Sequence, residues 1–328
     1  MVTIKDIAQI ANVSASTVSR ALNGKGKVSP EKQKEILQIA NSNHYIPNWH
    51  AKVISQKSSK RIKNIGLVIP DITNPFFAEL TRGIEYLNNT QIILTLADSF
   101  RDPRKEEAIA LMFRNNGVDG IIIGNSRVND DFVVELSKFL PVLVFDKKYN
   151  LPNVCSIILD NVYGAYIGTK HLIEIGCKKI VHLSGKSDLL VSSQRIEGYK
   201  KAINEAKLDI EIIETGYDKE SGYESMKKFL RTGQQVDGIF CVNDIVALGA
   251  MKAVKESGFA VPKDIAIVGF DDTDFCDIVS PSLTSVHQPA REMGEMAVKM
   301  LLALINYNAT IHEYVFSPSL VVRESTRR

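Results

Sequence analysis

The sequence predicts an α/β protein: two doubly wound parallel-sheet lobes preceded by an all-α helix-turn-helix head. Three observations predict it. Residues 3–20, TIKDIAQIANVSASTVSR, read as two short helices around a tight turn. From Asn64 onward, near-continuous apolar runs of strand length alternate with helical patterns, the signature of parallel sheets covered on both faces. A short pattern also recurs: GVDGII at 117–122 returns as QVDGIF at 235–240, 118 residues later, and NIGLV at 64–68 is matched by KKIVHL at 178–183, 114 to 115 residues later. Two echoes at nearly one offset argue for two similar lobes.

In the first helix Ile4, Ile7, Ala8 and Ala11 fall on one small apolar face. Asn12-Val13-Ser14 interrupts it, and Ser14 is a good N-cap because its hydroxyl can accept a bond from a free backbone amide of the next turn. The second helix, 15–22, keeps Val18, Ala21 and Leu22 for packing and leaves Ala15, Ser16, Thr17, Ser19 and Arg20 outside. Small hydroxyl residues with one arginine suit a helix lying in a DNA major groove: the backbone can come close, hydroxyls bond phosphates, and one long side chain reaches a guanine edge. A plain packing hairpin is the alternative reading. A third helix starts at Ser29-Pro30, with Ser29 as cap and Pro30 at the first helical position, and buries Ile36, Leu37, Ile39 and Ala40. The head is expected over 1–46. Residues 47–63 could form a short helix followed by a basic linker, and 64–328 form the two-lobed core. There the strands read as 65–70, 91–97, 118–124, 140–146, 156–160, 178–185, 210–216, 236–242, 264–271 and 283–288. The intervening helices include 74–89, 192–206, 218–231, 244–257 and 289–305.

Charge follows the same division. Residues 1–63 hold 11 Lys/Arg against 3 Asp/Glu, and residues 64–328 hold 29 against 35. A basic segment on an acidic body is the footprint of a nucleic-acid-binding head. The four cysteines, Cys155, Cys177, Cys241 and Cys276, are far apart and form no CxxC or zinc spacing, which argues against a zinc finger or disulfide framework and suits a reducing compartment. No metal or cofactor is implied. The start lacks a signal-peptide pattern and no apolar run approaches the ~18 residues of a membrane span, so a cytoplasmic protein without membrane partners is expected. No Gly-rich phosphate loop, GxSxG or HExxH occurs, which argues against an enzyme.

The TIKDIA opening, VSxxTVSRALN at 13–23, YxPN at 45–48 and the segment after it resemble the lactose/galactose repressor family (LacI/GalR) of bacterial transcription regulators, over the whole chain. The resemblance implies a periplasmic-binding-protein-like core and a homodimer on a near-palindromic operator. It also implies a hinge that becomes helical on DNA and inserts an apolar pair into the minor groove, kinking the duplex. The family's common Ala-Arg-x-Leu is here Ala51-Lys52-Val53-Ile54, so Ile54 would be the wedge, and Lys52 would neutralise a phosphate without arginine's fork. Trp49, the only tryptophan, lies in this hinge. Within the head, Ser16 and Arg20 are the candidates for base edges and Ala15 for a thymine methyl, with Thr3, Ser14, Thr17, Ser19 and Asn23 on phosphates.

Ligands of open α/β sheets bind beyond the carboxyl ends of strands, and a cleft between two lobes can close on a small molecule. By resemblance the effector contacts are Asn74, Phe76, Phe77, Asp146, Arg195, Tyr217, Asn243 and Asp271, with His287 a weaker candidate. Carboxylates, amides, one arginine and aromatic faces form the mixture that sugars need. Capping is the reading favoured for Asp160, Asp244 and Asp272. The Asn-Pro-Phe-Phe motif also resembles ribose-type sugar-binding proteins, which carry Asp-Arg where this chain has Asp146-Lys147. Purine repressors of the family place polar residues at 188–191, where Leu189, Leu190 and Val191 are apolar. The expected function is therefore a repressor of a sugar-utilisation operon under allosteric control by the sugar. A nucleobase- or protein-controlled corepressor-type regulator, a cytoplasmic sugar-binding protein and a sugar-processing enzyme are the other readings. With no heptad tail after the last strand, a dimer is the expected assembly.

Overall fold

The computed structural model describes residues 4–22, 28–42, 63–86, 92–124, 129–307 and 312–327. Thr3, Asn23, Trp49, Lys52 and Ile54 lie outside these residues, and with them the expected hinge helix.

The head is three helices, α1 (Ile4–Ile10), α2 (Ala15–Leu22) and α3 (Pro30–Ser42). They close around Ile7, Ala8, Ala11, Val18, Ala21, Leu22, Ile36 and Ala40, with Ile4, Val13, Ala15, Leu37 and Ile39 packed at the rim. Asn12 takes φ 51° in the turn between the first two helices, a left-handed conformation that asparagine tolerates. Ser14 caps α2 by accepting from the Thr17 N–H at 3.1 Å, and Ser29 accepts from the Lys32 N–H at 3.3 Å at the start of α3.

The chain divides into two compact units. One comprises Met1–Pro70, Ile84–Ile157 and Glu295–Tyr314; the other comprises Asp71–Gly83, Ile158–Gly294 and Val315–Arg328. The first unit's sheet contains β1 (Lys63–Ile69), β2 (Ile92–Asp98), β3 (Gly120–Ile123), β4 (Val142–Phe145), β5 (Val154–Leu159) and β11 (Glu313–Phe316), in the order β11-β5-β4-β3-β1-β2. The second unit's sheet contains β6 (Ile180–Ser184), β7 (Glu211–Glu214), β8 (Gly238–Cys241), β9 (Ala266–Asp271), β10 (Thr284–His287) and β12 (Ser319–Val321), in the order β12-β10-β9-β8-β6-β7. Omitting the last strand, each sheet has the doubly wound order 2-1-3-4-5, which sets ligand sites at the strands' carboxyl ends. The parallel register is continuous; β1 pairs with β2 from Lys63↔Ile92 to Ile69↔Asp98. All four residues of each of β3, β4 and β8 are buried, as strands covered on both faces require.

The helices are α4 (Pro75–Tyr86), α5 (Pro103–Asn115), α6 (Asp130–Ser137), α7 (Asn161–Glu174), α8 (Leu190–Glu205), α9 (Lys219–Leu230), α10 (Asp244–Glu256), α11 (Phe275–Ile278) and α12 (Ala290–Tyr307). The sequence reading omitted α6, α11 and the edge strands β11 and β12. It also placed the start of α8 at 192, two residues late, which left Arg195 at a helix start; Arg195 lies in the second turn, buried. Asp102, Asn129, Asp160, Asp218 and Asn243 each cap the following helix through the side chain. Glycines set the closest helix contacts of the second unit. A Cβ on Gly249 would stand 2.1 Å from the Lys219 carbonyl oxygen, and one on Gly222 would stand 2.5 Å from that of Val246, so α9 and α10 meet backbone to backbone. Among the described residues no helix is long and apolar enough to cross a membrane.

Candidate functional site

Two sets of side chains are candidates for function. On the head, α2 turns Ser16 and Arg20 to solvent, four residues apart and so on one face. Thr17, Ser19 and Ala15 are half-buried. The Ser14 hydroxyl meets both the Ser16 hydroxyl and the Thr17 hydroxyl at 2.8 Å. The helix therefore opens on three hydroxyls joined through Ser14, a polar surface at a helix N-terminus that suits phosphate oxygens.

The second set gathers at the carboxyl ends of the second unit's strands. Arg195, 5 % exposed, comes from α8. Its Nε donates to Asn161 Oδ1 at 2.9 Å, its Nη1 donates to the Val242 carbonyl, and its guanidinium lies 3.6 Å from the centroid of the Phe270 ring. Asp271 ends β9 at φ 116°, followed by Asp272 at φ 58°, a strained pair of the kind held at ligand sites. The Asp271 carboxylate lies 4.0 Å from Arg195 Nη1 and accepts from Gln288 Nε2 at 2.5 Å. Its Oδ2 is buried with no hydrogen-bond partner among the described residues. Burial pushes this carboxyl up to about 7; Arg195, Gln288 and Asn74 favour the charged form, and the neighbouring Asp244 opposes it. An unpaired buried acceptor is costly unless a ligand donor supplies the bond.

Asn74, also buried, caps α4 by accepting from the Phe76 N–H at 3.0 Å. Phe76 and Phe77 meet edge to face with centroids 5.1 Å apart. Phe77 is buried and Phe76 half-buried, so one ring belongs to the core and the other is available. Tyr217 bonds the Ser192 hydroxyl through its own and packs against the apolar core under α10. Asn243 is used at both ends of its amide: Oδ1 accepts from the Val246 N–H at 2.8 Å, and Nδ2 donates to the Tyr217 carbonyl at 3.0 Å. His287 pairs with the carboxylate that follows Asp271 in the chain. Its Nδ1 lies 2.9 Å from Asp272 Oδ2, and that hydrogen bond raises its pKa. Asp146, in the other unit, follows β4 at φ 62°, its N–H donating to the Ile157 carbonyl at 2.8 Å.

The structure corrects the capping assignments. Asp160 does cap, accepting from the Tyr163 N–H at 2.8 Å. Asp244 does not, because Asn243 already fills that place; Asp244 is the first helical residue, fully buried. Asp272 caps no helix and instead pairs with Arg323 Nη1 at 2.7 Å and with His287. The sequence reading singled out neither Gln288 nor Phe270, the residues that hold Asp271 and Arg195. Their one signal was position, each next to a strand-end candidate.

A helix-turn-helix head on a chain whose second unit gathers buried polar groups at strand ends defines a DNA-binding regulator with a ligand-binding domain. Residues 3–48 match the model of bacterial regulatory proteins of the lacI family, and residues 169–326 match the periplasmic binding protein-like domain. The ribose operon repressor of Haemophilus influenzae is 34% identical over 99% of this chain and 98% of its own. The HTH-type transcriptional repressor PurR of Mannheimia succiniciproducens is 32% identical over 100% and 99%. Among solved structures, a LacI family transcriptional regulator from Enterococcus faecium with bound ribose has TM-score 0.73 at 31% identity, covering 80% of this chain and 98% of that one. The lac repressor dimer bound to operator has TM-score 0.72 at 26% identity, covering 99% of each. The chain belongs to the LacI family of bacterial regulatory proteins, and it is a transcription regulator rather than an enzyme.

Proposed function

We propose that this protein is a cytoplasmic, homodimeric repressor of a sugar-utilisation operon, released from or held on its operator by a pentose of the ribose class. The observation that carries the reading is the buried Arg195–Asp271 pair, 4.0 Å apart with Asp271 Oδ2 unpaired. A vicinal diol suits that gap, donating a hydroxyl hydrogen to the carboxylate and accepting from the guanidinium. Asn74 adds an amide, Phe76 a ring face, and Tyr217, Asn243 and His287 are the further proposed contacts. The ribose-bound neighbour and the ribose repressor relative support the choice of sugar.

The proposed domains are the head at 1–46, the hinge at 47–63 and the core at 64–328. On the head, Ser16 and Arg20 read base edges and Ala15 meets a thymine methyl. Thr3, Ser14, Thr17, Ser19, Asn23 and Lys52 hold phosphates, and Ile54 wedges the minor groove. The PurR relative makes a nucleobase the alternative effector, but Leu189 and Val191 are buried apolar residues and offer no hydrogen bond to a base edge.

The test is a thermal-shift screen of the full chain against D-ribose, other pentoses, hexoses and nucleobases, followed by operator titration with each hit. A ligand at 100 times its dissociation constant adds about 2.7 kcal/mol. A ribose shift with a matching change in operator affinity supports the reading. A shift with nucleobases alone overturns it.

A further inference from the structure

We infer that Asp244 is the positioning residue for Asp271. This rests on the reading of Asp271 as an effector contact. Asp271 and Asp272 hold two consecutive positive φ angles, 116° and 58°, which L-residues rarely adopt and which the surroundings must enforce. The enforcement converges on one carboxylate. Asp244 Oδ2 accepts from the Thr273 N–H at 2.8 Å, from the Thr273 hydroxyl at 3.0 Å and from the Cys276 thiol at 3.2 Å. Its Oδ1 accepts from the Ser285 hydroxyl at 2.5 Å. Ser285 Oγ in turn accepts from the Asp272 N–H at 3.1 Å. The two amides following Asp271 are thus tied to Asp244, one directly and one through a serine.

Gly269 bears on the same link. It lies two residues before Asp271 and pairs with Ser285 across β9 and β10. A Cβ there would stand 2.3 Å from Asp244 Oδ1, so the bare backbone at 269 leaves the room that the carboxylate occupies. Four donors on one fully buried carboxylate match the number that an ionised aspartate can accept. An asparagine must present an NH2 to groups that are themselves donors.

Two measurements on the full chain separate this inference from the identity of the sugar. In hydrogen exchange without ligand, Asp244→Asn should accelerate the amides of residues 272 and 273 by about tenfold or more, the loss expected for a charge-assisted bond, while the amides of β8 and β9 keep their protection. Unchanged rates at 272 and 273 would overturn the inference whatever the effector is.

The second is a double-mutant cycle read by D-ribose calorimetry. Asp244→Asn alone should weaken ribose by about tenfold. In an Asp271→Asn background the same substitution should add less than about twofold, because it acts through a group already removed. A full additional loss in that background would show general damage to the unit and sink the positioning role. If the wild-type chain does not bind ribose, the sugar assignment fails, and the exchange result alone decides the role of Asp244.

Discussion

Asp271 sets ligand binding against stability. Its folded-state carboxyl holds a proton up to about 7 because it is buried, whereas an unfolded aspartate loses its proton near 4. Folding therefore loses stability as pH rises from about 4 through about 7. Asp271→Asn removes that loss. It should raise the thermal midpoint of the ligand-free chain at pH 8, with the gain shrinking to nothing as pH falls toward about 4, followed by calorimetric scans of both proteins. The same variant should keep operator binding and respond to ribose in a gel-shift titration only at higher sugar concentrations; a normally responsive variant would remove Asp271 from the ligand contacts. Arg20→Ala belongs to the opposite end of the chain. It should lose about 1–3 kcal/mol of discrimination between operator and scrambled DNA while ribose binding persists, and unchanged operator affinity in the variant would refute the base contact.

At the scale of elements, a cap made several helix starts legible. Ser14 and Ser29 each accept a backbone N–H of the turn they precede. Arg195 was misplaced for the opposite reason: its helix begins after Leu189, which makes no side-chain cap bond, so nothing local marks the start. The omitted α6 has a cap in Asn129, but its Phe132-Val133-Val134 run has the β-branched character of a strand. Close helix contacts were not legible, because Gly222 and Gly249 look like ordinary helix-weakening glycines until the carbonyl facing each is known. Gly249→Ala should accordingly destabilise. The overpacking cost of about 1–3 kcal/mol exceeds the helix-propensity gain of about 1 kcal/mol, and a urea midpoint above wild type would contradict it. Ser14→Ala should lower the stability of the head by about 1 kcal/mol, read as earlier loss of protection in α2 by hydrogen exchange.

For the whole molecule, the two-lobed plan was legible because apolar strands alternate with helices and the VDG echo marks the same strand in each sheet, β3 and β8. The polar network around Asp271 was not, since Asp244, Ser285, Gln288 and Arg323 come together only through the pairing of β10 with β9 on one side and β12 on the other. Charge, by contrast, reads directly from the sequence and yields a prediction for the intact protein. The basic excess is confined to residues 1–63, with 11 Lys/Arg against 3 Asp/Glu, and the remainder is acidic, 29 against 35. Operator binding by the head releases about 0.9 counterion per phosphate neutralised, so its affinity should fall steeply and linearly in a double-logarithmic plot against salt. A neutral sugar releases none, and the Arg195–Asp271 pair that receives it is buried, where screening is weak. Titrating operator and ribose separately between about 50 and 200 mM salt should therefore give a steep negative slope for DNA, about 10³-fold or more, and a flat line for ribose. A flat operator line would show that the basic segment does not face phosphate. A steep ribose line would point to a charged ligand, such as a sugar phosphate, in place of the free pentose.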